Sequence, residues 1–394
     1  MNDIYFILLV FFISLIVAWL TFRPILHFAK HNNLYDNPES RKLQRRPIPL
    51  LGGVVVFVGA IVGALSYWFK NDCTSIIPIE VAMFIMLLIG TWDDIKHLSP
   101  YLRFAIEIIV VVTLALINNS PINDFHGLWG VDKISPWIAW PLTVVACVGI
   151  INAINMIDGI DGLSSGICIM SCGFFGLFFF YKGDFVHTAL AISLIGGLIP
   201  FFIVNVFGNR SKMFIGDGGT MMLGIAMCEF VMTMLTHDSI CTRKTPSNFC
   251  IVAFALAVLA IPVFDTIRVM LGRICRGDSP FYPDKTHLHH AFIDYGFHHL
   301  ETSLMEIILN MGIIGVWWVT YKSHLSTQWQ LYAVIIAGVG VTFGLYYMLG
   351  RRKRIATKVK EKYGIEMEQY ELLNEEELKA LIQEKNNNES KENI

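Results

Sequence analysis

Runs of about 20 apolar residues follow one another along most of this chain, and no other feature restricts its fold so tightly. A bilayer core of roughly 30 Å needs about that length for one helical crossing, and within it every backbone N–H and C=O must find a partner inside the segment. A soluble domain is excluded by the balance of 54% hydrophobic to 16% charged residues over 394 positions, with a mean hydropathy of +0.55. The pattern predicts an all-α integral membrane protein, a polytopic bundle of about eleven transmembrane helices. The spans are expected at 4–22, 50–69, 76–92, 101–118, 136–153, 163–181, 186–207, 214–235, 248–270, 303–321 and 330–350. Met1-Asn2-Asp3 offers no basic leader, so the first run is expected to remain as a helix.

Lys and Arg favour the cytoplasmic side of a membrane. Of thirty such residues, fourteen fall in or beside the segments after spans 1, 3, 5, 7 and 9, six in the opposite loops and ten beyond residue 350. This asymmetry predicts the N-terminus outside and the C-terminus cytoplasmic. Two regions are expected: a transmembrane domain over 1–350 and a charged cytoplasmic tail over 351–394, helical near 359–382. Eight cysteines include no CxxC pair, and Cys147, Cys168, Cys172 and Cys228 read as packing residues; Cys73, Cys241 and Cys250 are the candidates for a bridge near the outer face. The basic residues rim a membrane face and form no continuous basic domain, which argues against a nucleic-acid partner.

The unusual polar residues collect on the same predicted inner face. They are Asp36 to Lys42, which leads to Gly52-Gly53; Asp93-Asp94; the run from Asn152 through Asn155, Asp158-Gly159 and Asp161-Gly162; Gly216-Asp217-Gly218-Gly219; and Asp284-Lys285-Thr286-His287-Leu288-His289-His290. A carboxylate near hydrocarbon needs a partner. Mg²⁺ suits these, because it takes one or two carboxylates and leaves its other positions to water and substrate phosphate. The plainer reading is that the Asp residues cap helices or pair with Lys96, Arg210 and Lys212. Glycines beside Asp158, Asp161 and Asp217 let backbone N–H groups approach a ligand, and a helix starting there presents its positive end to an anion. Gly52-Gly53 serves close helix packing equally well. His287, His289 and His290, with Lys285, Arg273 and Arg276, suit phosphate oxygens; zinc is the competing reading, against which no cysteine accompanies the histidines. His298 and His299 read as ordinary interfacial residues. Glu107 and Glu306 are candidate supporting residues, and Asp265 either binds substrate or pairs with Arg268.

These five motifs, in this order between Asp36 and Gly296, resemble the polyprenyl-phosphate N-acetylhexosamine-1-phosphate transferase family, and within it the UDP-N-acetylglucosamine (WecA/TagO-type) branch. The resemblance implies a bundle of ten or eleven helices with a cytoplasmic cleft in the bacterial inner membrane. It implies transfer of N-acetylglucosamine-1-phosphate from a UDP-sugar to undecaprenyl phosphate, releasing UMP and starting a cell-surface glycan. By resemblance Asp217 ligates Mg²⁺ (Mn²⁺ substituting), and Asp94 is a catalytic residue beside Asp93 or a second candidate ligand. Asp93 deprotonates or orients the prenyl phosphate, and Asp158, Asp161, His287, His289 and His290 join it as catalytic residues. Arg41, Lys42, Asn155, Gly159, Gly162 and Lys285 bind substrate. A homodimer is in keeping with the family. Alternatives are transfer of phospho-N-acetylmuramoyl-pentapeptide and, from another class, a secondary transporter, whose acids belong nearer the bilayer midplane.

Overall fold

The computed structural model describes residues 2–38, 46–71, 76–209, 211–237, 239–281 and 284–350. Arg41, Lys42, Cys73 and the tail beyond 350 therefore lie outside the described residues.

Every expected span is helical. The helices are α1 (Asn2–His31), α2 (Gly52–Asn71), α3 (Ile76–Lys96), α4 (Pro100–Ile117), α5 (Pro136–Met156), α6 (Leu163–Lys182), α7 (Phe185–Phe207) and α8 (Gly216–Met234). A short α9 (Ile240–Lys244), α10 (Ile251–Val258), α11 (Ala260–Cys275), α12 (Leu288–Tyr295), α13 (His299–Lys322) and α14 (Thr327–Val339) come after it, and α14 runs into a π-helical turn over Gly340–Gly344. Among the described residues eight helices are long and apolar enough to cross a membrane, or nine if α10 and α11 form one bent span. Two small antiparallel ribbons stand outside the helices: β1 (Tyr35–Asp36) pairs with β2 (Ile48–Pro49), and β3 (Asp124–Leu128) with β4 (Val131–Lys133).

The core is organised around α8. Nearly every residue from Gly216 to Met234 is buried, as expected of a helix apolar on all sides. Its N-terminal turn lies against α2 and α3 at glycines: a Cβ on Gly53 would collide with Gly219, and one on Gly90 with the Gly218 amide. For Gly52-Gly53 the packing reading thus prevails. Gly52 N–H and Gly53 N–H also donate to Phe214 O and Ile215 O at 2.8 and 2.9 Å, tying the turn before α2 to the turn before α8. This close approach brings the carboxylates at the end of α3 beside the start of α8.

One expected span is not straight. α10 and α11 meet at Leu259 with a bend of 77° where a single span was expected over 248–270. Pro262 has no N–H to donate to Val258 O four residues before it, and Asn310 of α13 satisfies the backbone groups left open at the break. Its Oδ1 accepts from Ile261 N–H at 2.8 Å, and its Nδ2 donates to Ala257 O and Val258 O at 3.2 and 3.1 Å. Cys241 and Cys250 are buried free thiols.

Candidate active site

Five elements meet at one end of the bundle. The end of α3 supplies Asp93 and Asp94, the first turns of α4 supply Arg103 and Glu107, and the end of α5 supplies Asn152 and Asn155. The loop 157–162 carries Asp158 and Asp161, and α8 opens with Asp217. The chain turns between α3 and α4 because Ser99 caps α4, its side chain accepting from Leu102 N–H at 3.3 Å, with Pro100 in the first helical turn. That turn sets Arg103 facing Asp93.

Arg103 is the hub. Its Nη1 lies 3.3 Å from Asp93 Oδ2 and 3.9 Å from Asp217 Oδ2, its Nη2 donates to Asn152 Oδ1 at 3.0 Å, and its Nε lies 3.5 Å from Glu107 Oε1. Glu107 is fully buried and accepts from Asn152 Nδ2 at 2.6 Å, so the carboxylate and amide together fix the guanidinium. Asp93 also accepts from Leu98 N–H at 2.7 Å, closing the end of α3. Its carboxylate is held by structure on both oxygens.

Asp217 is the most open of the three carboxylates around Arg103, with 42% of its side chain exposed. Asn155 Nδ2 donates to its Oδ1 at 3.0 Å and to Thr220 Oγ1 at 2.8 Å. The Asp217 N–H donates to Asp94 Oδ1 at 3.1 Å, so Asp94 caps α8. Gly216 before it has φ +74°, and a Cβ there would meet Asp94 Oδ2 at 2.6 Å. Only glycine allows both that backbone conformation and that approach.

Asp158 opens on the cleft yet is crowded on its remaining sides. Burial pushes its carboxyl up to about 7; Ser164 Oγ, which donates to it, pulls the other way, and the charges of Asp217, Asp161 and Asp36 add to the rise. Asp36 on β1 thus belongs to the site's electrostatics. Asp161 behaves differently. Burial alone would raise it, but hydrogen bonds and charge from His299 and Lys212 outweigh burial and hold it below its ordinary value. It forms an ion pair with Lys212 and a 3.0 Å contact with His299 Nδ1, while Ser303 Oγ donates to its backbone carbonyl at 2.8 Å. His299, expected to be merely interfacial, instead clamps the Asp158–Asp161 loop onto α13. Gly162 N–H donates to Asn205 Oδ1 at 2.8 Å, which corrects the expectation that this amide meets a ligand.

The histidines form the opposite wall. Gly159 has no room for a side chain because His289 Nε2 abuts it, which joins the Asp-Gly loop to the His motif. His287 Nδ1 is 2.9 Å from Asp265 Oδ2; Asp265 also pairs with Arg268 at 2.7 Å and accepts from Leu288 N–H. Asp265 therefore takes the second of its two expected roles, pairing with Arg268, and in addition orients a site histidine. Burial, reinforced by the neighbouring imidazoles, drives His289 well down and His290 to about 4, so both are neutral near pH 7, and both ring nitrogens of His289 are buried without a hydrogen-bond partner among the described residues. Asp284 is held down to about 2: burial opposes this, but Arg273 and Thr286 prevail through hydrogen bonds, with Arg273 adding charge. Arg273 and Arg276 grip it at 2.9 and 2.8 Å, pinning the segment that carries Lys285.

Among the described residues no three His, Cys, Asp or Glu side chains are grouped to enclose a metal ion. Asp217 and Asp94 do supply two oxygen donors from adjacent elements at the cleft, which fits a cation completed by substrate phosphate and water. Asp36 and Asn152 were singled out only as members of polar clusters and Lys212 only as an ion-pair partner, which it is for Asp161; sequence reasoning missed Arg103, His299 and Ser164 as site residues. Arg103 had a usable signal, four residues before Glu107 on an otherwise apolar helix and one short turn after Asp93-Asp94.

A model of glycosyl transferase family 4 matches residues 76–235. The chain is 30% identical over 363 residues to an undecaprenyl-phosphate alpha-N-acetylglucosaminyl 1-phosphate transferase of Pasteurella multocida, covering 88% of this chain and 94% of that protein. To the enzyme of the same name in Haemophilus influenzae it is 28% identical, over 89% of this chain and 99% of the other. A probable undecaprenyl-phosphate N-acetylglucosaminyl 1-phosphate transferase of Bacillus subtilis is 28% identical over 84% and 88%.

Proposed function

This chain belongs to glycosyl transferase family 4, and from that premise we propose that it transfers N-acetylglucosamine-1-phosphate from UDP-N-acetylglucosamine to undecaprenyl phosphate in a bacterial inner membrane, at a cleft on the cytoplasmic face. The observation that carries the reading is the convergence of Asp94, Asp158 and Asp217 with Arg103 at one end of the bundle, on the side that holds most of the Lys and Arg. That charge bias supports an N-terminus outside and a C-terminus inside.

In the reaction, an oxygen of the lipid phosphate attacks the β-phosphorus of the donor, the bond from that phosphorus to the bridging oxygen breaks, and UMP leaves with the electron pair. Two anions must meet, so positioning and charge stabilisation dominate. Asp217 and Asp94 would hold Mg²⁺, whose charge would offset that of the diphosphate. Asn155 holds the Asp217 carboxylate in place, and Arg103 supplies fixed positive charge beside it. Asp158, whose carboxyl titrates near neutrality and faces the cleft, is suited to hold the proton of the incoming lipid phosphate. Lys285 and the imidazoles of His287, His289 and His290 line the donor side. Asp93 acts through Arg103, and Asp161 through the loop it anchors.

Purified protein should convert UDP-N-acetylglucosamine and undecaprenyl phosphate to lipid product and UMP, with EDTA abolishing turnover and Mg²⁺ restoring it. Asp217→Asn should fold and insert normally and lose about 10²-fold or more of activity, as expected when a charge-stabilising group is removed. Full activity in Asp217→Asn, or turnover that survives EDTA, would sink the metal assignment. Product from UDP-N-acetylmuramoyl-pentapeptide alone would change the donor.

A further inference from the structure

We propose that Tyr346, on the last membrane-spanning helix and outside every acidic and histidine motif, is a positioning residue for the histidine wall of the site. Its ring lies under the Arg268 guanidinium, 3.8 Å from centroid to carbon. Arg268 is buried, and its fork joins two parts of that wall: Nε and Nη2 donate to Asp265 Oδ1 at 3.2 and 2.7 Å, and Nη2 donates to Thr286 O at 2.5 Å. Asp265 contacts His287 through its other oxygen, so Tyr346, Arg268, Asp265 and His287 form one continuous stack from the last helix to the cleft.

Two local features of the last helix place the ring there. A Cβ on Gly338 would collide with the Phe264 ring, so this glycine is what lets α14 lie against α11. The π turn over Gly340–Gly344 then inserts an extra residue, rotating the remainder of the helix by about 100° relative to an unbroken α-helix. Thr342 Oγ1, inside the π turn, donates to Gly338 O in the last turn of α14 at 2.8 Å. A planar guanidinium stacked on a ring keeps its in-plane N–H groups free, which is how Arg268 can hold both Asp265 and the Thr286 carbonyl.

The kinetic consequence rests on reading the histidine wall as the UDP-N-acetylglucosamine side. Tyr346→Leu should raise KM for that donor about two- to tenfold, the range expected for losing a partly buried cation–π contact, with a smaller change in kcat. Tyr346→Phe keeps the ring and should match the wild type. A fall in Vmax with KM unmoved would mean a purely structural role and overturn the proposal. Arg268→Lys leaves Tyr346 in place but loses the fork; it should raise KM similarly and carries the same test if the Leu variant does not accumulate.

A second readout needs no turnover, so it separates this proposal from the assignment of the reaction. Diethyl pyrocarbonate modification, quantified by mass spectrometry, should reach the buried His287 several-fold faster in Tyr346→Leu and in Arg268→Lys than in the wild type. Exposed His97 serves as the internal reference. Equal His287 rates in the wild type and these variants would overturn the proposal even in a fully active enzyme; faster His287 modification in a protein that transfers nothing would uphold it and reject the reaction.

Discussion

Arg103 sits among three carboxylates and an amide, and its surroundings explain why the site's charges coexist at a membrane end. Asp93, Glu107 and Asp217 would repel one another in a poorly solvated cleft; one fixed guanidinium lies within 4 Å of all three. Among the described residues no such cation lies beside Asp158, and its carboxyl rises to about 7. Ser164 opposes that rise by donating to the ionised form, so Ser164→Ala must raise the carboxyl further. The acid limb of kcat/KM, expected near pH 7 because activity needs ionised Asp158, should move to higher pH in this variant while the alkaline limb stays. An unmoved limb, or one moved to lower pH, would remove Asp158 from the rate-determining ionisation. At this scale the carboxylates were legible in the sequence, since Asp beside glycine at a membrane edge has few structural uses. Arg103, Lys212 and His299 were not: cations and histidines at span ends serve equally as topology anchors, and only tertiary contacts separate the two roles.

Helices were legible because length and apolar character set them directly, and all eleven expected segments are helical. The bend between α10 and α11 was only half legible: Pro262 marks where the helical ladder must break, but Asn310, which receives the freed backbone groups, lies about fifty residues away in α13. The glycine contacts of α2, α3 and α8 were half legible: glycine pairs suggest close packing or ligand approach, and only the collisions a Cβ would make decide between them. Asn310→Leu leaves an amide and two carbonyls at the break without these bonds. It should lower stability by on the order of 2 kcal/mol and raise the donor KM, because α11 carries Asp265 and Arg268. Asn310→Asp keeps the acceptor for Ile261 N–H but loses the donor, and should fall between. Thermal unfolding in detergent measures the first effect and initial rates the second; a Leu variant with wild-type values for both would show that the bend does not depend on Asn310.

At the scale of the whole molecule, the wide apolar surface and the polar cleft divide the two substrates between them. A lipid phosphate can reach the cleft only sideways from the bilayer, and a nucleotide sugar only from water. The acidic ends of α3 and α8 and the start of α4 lie together at one end of the bundle, and the histidine segment reaches them where His289 abuts Gly159. Family, helical architecture and most acidic site residues were readable before any coordinates, because composition and motif order carry them. The connections that make those residues one site were not, because they run between elements distant in sequence, such as Gly159 with His289 and Asp161 with His299. The central claim is that a whole sugar phosphate moves, not the sugar alone. Its most direct measurement uses UDP-N-acetylglucosamine labelled with ³²P at the β-phosphorus and ¹⁴C in the sugar, incubated with purified protein, undecaprenyl phosphate and Mg²⁺. The account expects both labels in the lipid product at a one-to-one ratio, with UMP released; ¹⁴C entering the lipid without ³²P, with UDP released, would contradict it.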